Sequence, residues 1–253
     1  MKQPRRRAAP GKASPLGAEA CGSEPADAGL DRRQKRSLWQ AAAGTVQRTH
    51  EVRSVGASNL WLVRHAQPLI APGICYGQLD MSADAIATQS CAAQLAQVLP
   101  RGVTVITSPL QRCERLTPVL IGLRPDLTCK IDPKLQEMDF GRWEGRAWAD
   151  IPKGELDAWT DDFANYPAGQ TGESVAQFMA RVAAAFDELG AQQDTLWITH
   201  AGVIRAATLI AKGIVNVTAA DQWPIAAPAY GQWCKLDLKY ISQGDQRDQR
   251  RSL

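Results

Sequence analysis

The chain has 253 residues, of which 45% are hydrophobic and 22% are charged, values typical of a soluble globular protein. It contains no run of about 18 apolar residues, which argues against a transmembrane helix. The net charge of +3 is unevenly distributed. Residues 1–58 hold 11 of the 29 Lys/Arg and 5 of the 26 Asp/Glu, whereas residues 59–253 hold the other 18 Lys/Arg and 21 Asp/Glu. The larger part is therefore mildly acidic, and it lacks the basic patch that nucleic-acid binding requires.

Residues 1–58 are rich in Ala, Gly, Pro, Ser and Arg, so we expect a largely disordered basic tail. The basic cluster at residues 5–7 is not followed by an apolar segment, which disfavours a secretory signal. Six scattered cysteines without a C-x-x-C pair outline neither a disulfide framework nor a zinc site. We therefore predict a cytoplasmic protein with reduced thiols, and a second disordered polar tail at residues 242–253.

From residue 59 onward, apolar runs alternate with helical patterns. The predicted strands are 60–64, 103–107, 128–131, 195–199 and 232–239, the last at a sheet edge, and the predicted helices are 82–99, 109–122, 174–189 and 202–212. Strands that alternate with helices indicate βαβ units. We therefore predict an α/β fold for residues 59–241, a three-layer α/β/α domain with a mostly parallel sheet.

The helix at 174–189 has the clearest pattern. Its apolar residues Val175, Phe178, Met179, Val182 and Phe186 fall on one helical face. Ser174 and Gln177 form a capping box at its start, and Gly190 ends it.

Basic side chains follow three of the predicted strands. Arg64 and His65 follow the first, Arg112 lies just beyond the second, and His200 follows the fourth. If these strands are neighbours, their carboxyl ends bring two arginines, two imidazoles and helix N-termini together. Guanidinium groups and helix N-termini favour phosphate oxygens, so a phosphoryl group is the predicted ligand.

The sequence lacks the motifs of other proteins that bind or transfer phosphate. The sequence has no G-x-x-x-x-G-K-[ST] or G-x-G-x-x-G loop, and no cysteine is followed six residues later by arginine. Three histidines and no H-E-x-x-H motif do not make a dinuclear metal site. A histidine nucleophile that needs no metal or other cofactor remains.

A proton donor for the leaving group is expected after the third strand. Residues 135–145 supply three carboxylates, Glu137, Asp139 and Glu144. Glu137 is nearest the strand end and is the preferred candidate, while Asp139 and Glu144 stay open as alternatives.

The order of these motifs resembles the histidine phosphatase (phosphoglycerate mutase-like) superfamily over about residues 59–212. The motifs are Arg64-His65, Ser108-Pro109-Leu110-x-Arg112, Glu137 before Phe140-Gly141-x-Trp143-Glu144-Gly145, Gly172-Glu173-Ser174 and His200-Ala201-Gly202. The segment 73–80 looks like the subgroup that contains α-ribazole-5′-phosphate phosphatases.

The resemblance implies a phosphoglycerate mutase-like fold and a role for each site residue. His65 would be the nucleophile that becomes phosphohistidine, and Glu137 the general acid and then the base. Arg64, Arg112 and His200 would form the phosphate pocket. The family often has Gly, Thr and Asn where this chain has Ala66, Pro68 and Ala71, so two polar contacts would be absent.

The segment 73–80 also supplies three candidates for the substrate pocket, Cys75, Tyr76 and Gly77, although Cys75 and Tyr76 could equally pack in the core.

The predicted function is metal-independent hydrolysis of a small-molecule phosphate ester, with α-ribazole 5′-phosphate of cobalamin assembly as the first substrate. The alternatives are phosphoglycerate mutase-type transfer, a broad sugar-phosphate phosphatase and a catalytically silent phosphate-binding protein. Only about 28 residues separate Gly145 from Ser174, too few for the long covering segment of a mutase, which favours hydrolysis. We expect no nucleic-acid or membrane partner, and the sequence leaves the oligomeric state open.

Overall fold

A computed structural model describes residues 58–190 and 193–238 of the chain. Within these residues, five strands form one sheet in the order β3-β2-β4-β1-β5. The strands are β1 (Asn59–Arg64), β2 (Thr104–Thr107), β3 (Thr128–Ile131), β4 (Thr195–Thr199) and β5 (Trp233–Asp237). β1 to β4 are parallel and β5 runs antiparallel to β1 at the edge, which confirms the mostly parallel sheet.

The α-helices of the described residues agree with three of the four predicted ones. They are α1 (Ala85–Val98), α2 (Gln111–Glu114), α3 (Leu116–Leu123), α4 (Lys153–Asp161), α5 (Val175–Asp187) and α6 (Ala201–Ile210). The helix predicted over 109–122 is two helices, because Pro118 has no N–H to donate to the carbonyl of Glu114. α4 was not predicted, since none of its residues is buried and no side chain caps its first turn.

Apolar side chains cover both faces of the sheet. Trp61 and Val63 point to the cluster that includes α1 and α3, whereas Leu60 and Leu62 point to the cluster that includes α5 and α6. Successive residues of a strand alternate between the two faces. This alternation establishes the three-layer α/β/α arrangement.

The predicted capping box of α5 is present. Ser174 Oγ accepts a hydrogen bond from the Gln177 N–H at 3.3 Å, and Gln177 Oε1 accepts one from the Ser174 N–H at 2.9 Å. The two bonds satisfy backbone donors that the first turn of a helix leaves unpaired. α5 therefore starts at the residue that the sequence indicated.

The expectations for the termini fall almost entirely outside the described residues. The predicted tails at 1–58 and 242–253 lie there except for Ser58, which is buried and whose carbonyl accepts a hydrogen bond from the Leu238 N–H. The described part of the chain thus begins at Ser58, and the two predicted tails otherwise lie outside the described residues. None of the helices in the described ranges is long and apolar enough to cross a membrane.

The strand order determines where the site forms. β4 lies between β1 and β2, so the residue after β4 is flanked by the carboxyl ends of both neighbours. In open α/β sheets this edge is where ligands bind.

Candidate active site

His65 is buried at the end of β1, and its side chain has one defined tautomer. Its Nδ1 lies 2.7 Å from the carbonyl oxygen of Ala66, which can only accept, so Nδ1 carries the proton. Burial and then the positive charge of Arg112 lower the pKa of His65 to about 3, against the opposing effect of the Ala66 hydrogen bond. Near neutral pH the imidazole is therefore uncharged, with an unprotonated Nε2.

Arg64 is held beside His65 by the segment that precedes β5. Its Nη1 donates to the Pro228 carbonyl at 3.1 Å, and its guanidinium carbon lies 3.8 Å from the ring centre of Tyr230. Its Nε is buried and has no hydrogen-bond partner among the residues that the structure describes. This N–H is a donor that a substrate oxygen can use.

Tyr230 is a site residue that the sequence did not reveal. Its hydroxyl is 2.6 Å from that of Tyr76, and its ring centre is 5.5 Å from that of His65. The neighbouring Gly231 N–H donates to the carbonyls of Arg64 and His65, which brings this segment to the end of β1. The one available signal was its position, directly before Gly231 and the last strand.

Arg112 is fully buried and is enclosed by the segment at residues 76–79. Its Nε donates to His200 Nδ1 at 3.2 Å, its Nη1 to the Leu79 carbonyl at 2.9 Å and its Nη2 to the Gly77 carbonyl. Nη1 also donates to Met81 Sδ at 3.5 Å. A guanidinium has five N–H groups, so one of them, on Nη2, remains after these four bonds. Arg112 thus supplies a fixed positive charge and one further donor.

His200 is buried next to His65, with the opposite tautomer. Its Nδ1 accepts from Arg112, so Nε2 carries the proton and donates to Ser108 Oγ at 2.9 Å. Burial and then the charge of Arg112 hold the pKa of His200 well below its ordinary value. The two imidazole rings are 5.2 Å apart between their centres.

Glu137 reaches the site through the first turn of α6. Its Oε2 accepts from the Gly202 N–H at 3.0 Å, and its Oε1 accepts from the Met138 N–H at 3.1 Å. A Cβ at position 202 would overlap Oε1 and lie 3.0 Å from the carboxyl carbon, so this approach requires glycine. Gly202 follows His200 by two residues, so the carboxylate binds at the helix N-terminus that His200 directly precedes.

The backbone around Glu137 is fixed by an ion pair between Glu173 and Arg181, of which the sequence did not single out Arg181. Arg181 donates to the carbonyl oxygens of Lys134, Gln136 and Glu137, and it forms an ion pair of 2.7 Å with Glu173. Glu173 in turn accepts from the Asp139 N–H at 3.0 Å. Glu173 thereby links Arg181 to the segment that follows Glu137.

The other two carboxylates of this segment are engaged elsewhere. Glu144 accepts from the backbone N–H groups of Gln78, Leu79 and Phe140. Asp139 Oδ1 accepts from the Gly141 N–H at 2.8 Å. All three carboxylates bind backbone N–H groups, but only Glu137 binds the first turn of α6, directly after His200, which favours Glu137 among the three candidates.

The three candidates from segment 73–80 have different surroundings. Cys75 is fully buried in the apolar cluster on the α5 and α6 side, where burial raises the pKa of its thiol to about 12, so it packs in the core. The Tyr76 ring lies 5.4 Å from the guanidinium carbon of Arg112. Gly77 supplies the carbonyl that binds Arg112, and a Cβ there would overlap the carbonyl oxygen of Met138.

Two further features concern what the site could hold. Within residues 58–190 and 193–238, no group of three or more His, Cys, Asp or Glu side chains is arranged to hold a metal ion. A cavity of about 380 Å³ opens beside Glu137 and Gly202. The arrangement therefore combines an unprotonated imidazole nitrogen, two guanidinium groups, a carboxylate and an adjoining cavity.

Chains similar to this one are found among phosphatases. The model of the histidine phosphatase superfamily (branch 1) matches residues 60–240. The adenosylcobalamin/α-ribazole phosphatase of Escherichia coli is 28% identical over 188 residues, which cover 71% of this chain and 89% of that protein. The glucosyl-3-phosphoglycerate phosphatase of Mycolicibacterium vanbaalenii is 31% identical over 200 residues, which cover 74% and 87%. The solved α-ribazole phosphatase of Shigella flexneri shares the fold, with a TM-score of 0.59 and 24% identity over 71% of this chain and 90% of its own.

Proposed function

Because this chain belongs to the histidine phosphatase superfamily and is a phosphatase, we propose that it hydrolyses phosphomonoesters through a phosphohistidine on His65. The observation that carries the proposal is the tautomer of His65. The Ala66 carbonyl holds the proton on Nδ1, so the lone pair of Nε2 is available to attack phosphorus.

Positive charge surrounds the position where the phosphoryl group would lie. Arg64 and Arg112 contribute two guanidinium groups, and the buried Nε of Arg64 is unpaired among the described residues. Phosphoryl transfer depends mainly on positioning and on stabilising charge on the equatorial oxygens. We assign this role to Arg64, Arg112 and the neutral His200.

Glu137 would handle the proton in both steps. In the first step the Nε2–P bond forms, the bond from phosphorus to the ester oxygen breaks, and Glu137 gives its proton to the departing oxygen. In the second step a water molecule gives its proton to Glu137 and attacks phosphorus, the N–P bond breaks, and inorganic phosphate leaves. His65 and Glu137 then return to their starting states.

The substrate that we propose first is α-ribazole 5′-phosphate. One relative is named for this substrate, and the segment 73–80 that resembles this subgroup places Tyr76 and Gly77 beside Arg112. The relative named for glucosyl-3-phosphoglycerate makes that ester the second compound to test. We further propose that the reaction takes place in the cytoplasm.

The test uses the two imidazoles as matched variants. After reaction with ³²P-labelled ester and a rapid quench, wild type should carry an acid-labile, alkali-stable phosphate on the peptide that contains His65. His65→Ala should lose the label and nearly all turnover, whereas His200→Ala should form the same labelled peptide more slowly. Label on the His200 peptide, or full turnover in His65→Ala, would overturn the proposal.

A further inference from the structure

The cavity beside Glu137 has a lining unlike that of the phosphate pocket. Its volume is about 380 Å³, and its walls are mostly apolar and aromatic. The aromatic side chains are Phe140, Trp159, Phe163, Phe178 and Trp223. Glu137 and Arg205 are the titratable residues among those that line it.

The aromatic walls support one another. Phe163 lies between two tryptophans, with ring centres 5.2 Å from Trp159 and 6.5 Å from Trp223. Trp159 also contacts Phe140, and Trp223 contacts Phe178, each at centre distances of 6.2–6.5 Å. Rings in such edge-to-face and tilted contacts stabilise one another, so the cavity has a defined shape.

Arg205 is the second charged side chain in this lining, after Glu137. Its Nη2 donates to the Ile225 carbonyl at 2.9 Å, while its Nε is buried without a hydrogen-bond partner among the described residues. Burial lowers the pKa of Arg205, an effect that attraction to Glu137 opposes only in part. An unpaired buried donor is costly, so a ligand whose acceptor binds this N–H is favoured over one that offers none.

The position of Glu137 relates the cavity to the reaction. A general acid must reach the oxygen that departs with the alcohol, and the same carboxylate lines the cavity. With Glu137 as that acid, the group attached to the oxygen would extend towards the aromatic walls.

We propose that this cavity is the leaving-group subsite, and that it selects phosphate esters whose alcohol carries an apolar aromatic ring together with a hydrogen-bond acceptor for Arg205. This inference rests on the proposed function. The volume is near the lower end of small-molecule pockets, about 300–1,000 Å³, so a group of one or two rings fits and a macromolecule does not.

The first experiment compares esters with similar leaving alkoxides. In wild type, kcat/KM for 2-phenylethyl phosphate should exceed that for ethyl phosphate by at least about tenfold, because an apolar pocket discriminates by about 10–200-fold for a small apolar group. Ala220 lines the cavity and is exposed, so Ala220→Trp should fill the opening and reduce this ratio towards one. Trp223→Ala, which removes a wall, should also reduce it.

The matched control adds the same side chain on the other side of the sheet. Ala93 is an exposed residue of α1, and Ala93→Trp should retain the wild-type ratio. A wild-type ratio near one, or a ratio unchanged in both Ala220→Trp and Trp223→Ala, would overturn the subsite.

The second experiment tests the acceptor. The phosphate ester of 3-phenyllactate adds a carboxylate to the carbon that bears the leaving oxygen, and wild type should prefer it to 2-phenylethyl phosphate. Arg205→Met should remove this preference while keeping the preference for the phenyl ring, and Arg205→Lys should restore part of it. An equal carboxylate effect in wild type and Arg205→Met would overturn the role of Arg205.

The subsite and the proposed function can fail separately. If labelled phosphohistidine forms at His65 from every ester but the ring has no effect, only the subsite is wrong. If no ester labels His65, the proposed function is wrong.

Discussion

Replacing Gly202 by alanine tests the role of Glu137 without altering its chemistry. The Gly202 N–H donates to Glu137 Oε2 at 3.0 Å, and an added Cβ would overlap Oε1 and lie 3.3 Å from Oε2. The overlapping atom is the end of a flexible side chain, so the carboxylate can rotate away while the backbone of α6 stays in place. We therefore expect Gly202→Ala to fold and to lose the positioned proton donor.

The size of the loss should depend on the leaving group. General acid assistance contributes about 10²–10⁴-fold, and an alkoxide needs it far more than a phenoxide does. Gly202→Ala should therefore lower kcat/KM for ethyl phosphate by about 10²-fold or more, but reduce p-nitrophenyl phosphate hydrolysis only slightly. Glu137→Gln should show the same pattern, and the double variant should be no worse than either single one, because residues that act as a unit are not additive.

The assay measures both esters together with thermal unfolding. Gly122→Ala is the matched control, since a Cβ at this helical glycine of α3 meets no atom within 4 Å. The control should keep both activities. Wild-type activity of a folded Gly202→Ala on ethyl phosphate, or equal losses on the two esters, would refute the assignment of Glu137.

Three further predictions follow from the geometry around His65. The pKa of His65 is lowered from 6.5 to about 3, so between these pH values the unfolded chain binds a proton that the native state does not. The free energy of unfolding should therefore decrease as the pH is lowered from 6.5 to 3. Urea unfolding of His65→Asn should show a pH slope smaller by up to about 1.4 kcal/mol per pH unit, and an unchanged slope would contradict the buried neutral state. Tyr230→Ala should raise the inhibition constant of inorganic phosphate by about three- to thirtyfold, because it removes the ring that stacks on Arg64. Tyr230→Phe keeps the ring and should raise this constant less. If both variants raised it equally, the hydrogen bond to Tyr76 would matter more than the stacking. Turnover should survive excess EDTA, because side chains supply the nucleophile, the charge and the proton, and a loss reversed by Mg²⁺ or Zn²⁺ would contradict this.

The strands and their ends could be predicted because burial leaves a strong pattern in the sequence. The apolar runs before Arg64 and His200 are covered on both faces, and the alternation with helices indicated a parallel sheet. α4 left no such pattern, since its residues are exposed or only partly buried. The prediction of one continuous helix over 109–122 was wrong for a local reason, because Pro118 has no N–H to donate.

Site residues were predictable where they follow a strand directly, and not where long-range contacts bring them in. Tyr230 lies 166 positions from Arg64 along the chain, and only the pairing of β5 with β1 brings the two together. Arg181 lies in the middle of α5 and donates a hydrogen bond to the Glu137 carbonyl. Its position in the helical pattern is the same as that of an ordinary surface arginine. No local motif distinguishes such residues before the fold is known.

His65 and His200 look equivalent in the sequence, since each follows an apolar strand in a parallel sheet. Their hydrogen-bond partners make them chemically different. A carbonyl at Nδ1 of His65 requires a proton there and leaves Nε2 as a nucleophile, whereas the guanidinium of Arg112 requires an unprotonated Nδ1 in His200 and makes its Nε2 a donor. Exchanging these partners would exchange the roles, because an imidazole with one proton cannot attack and donate through the same nitrogen. The nucleophile that we propose therefore depends on the groups at the two Nδ1 atoms. Burial keeps both rings neutral, so each ring carries one proton and its Nδ1 partner determines which nitrogen holds it.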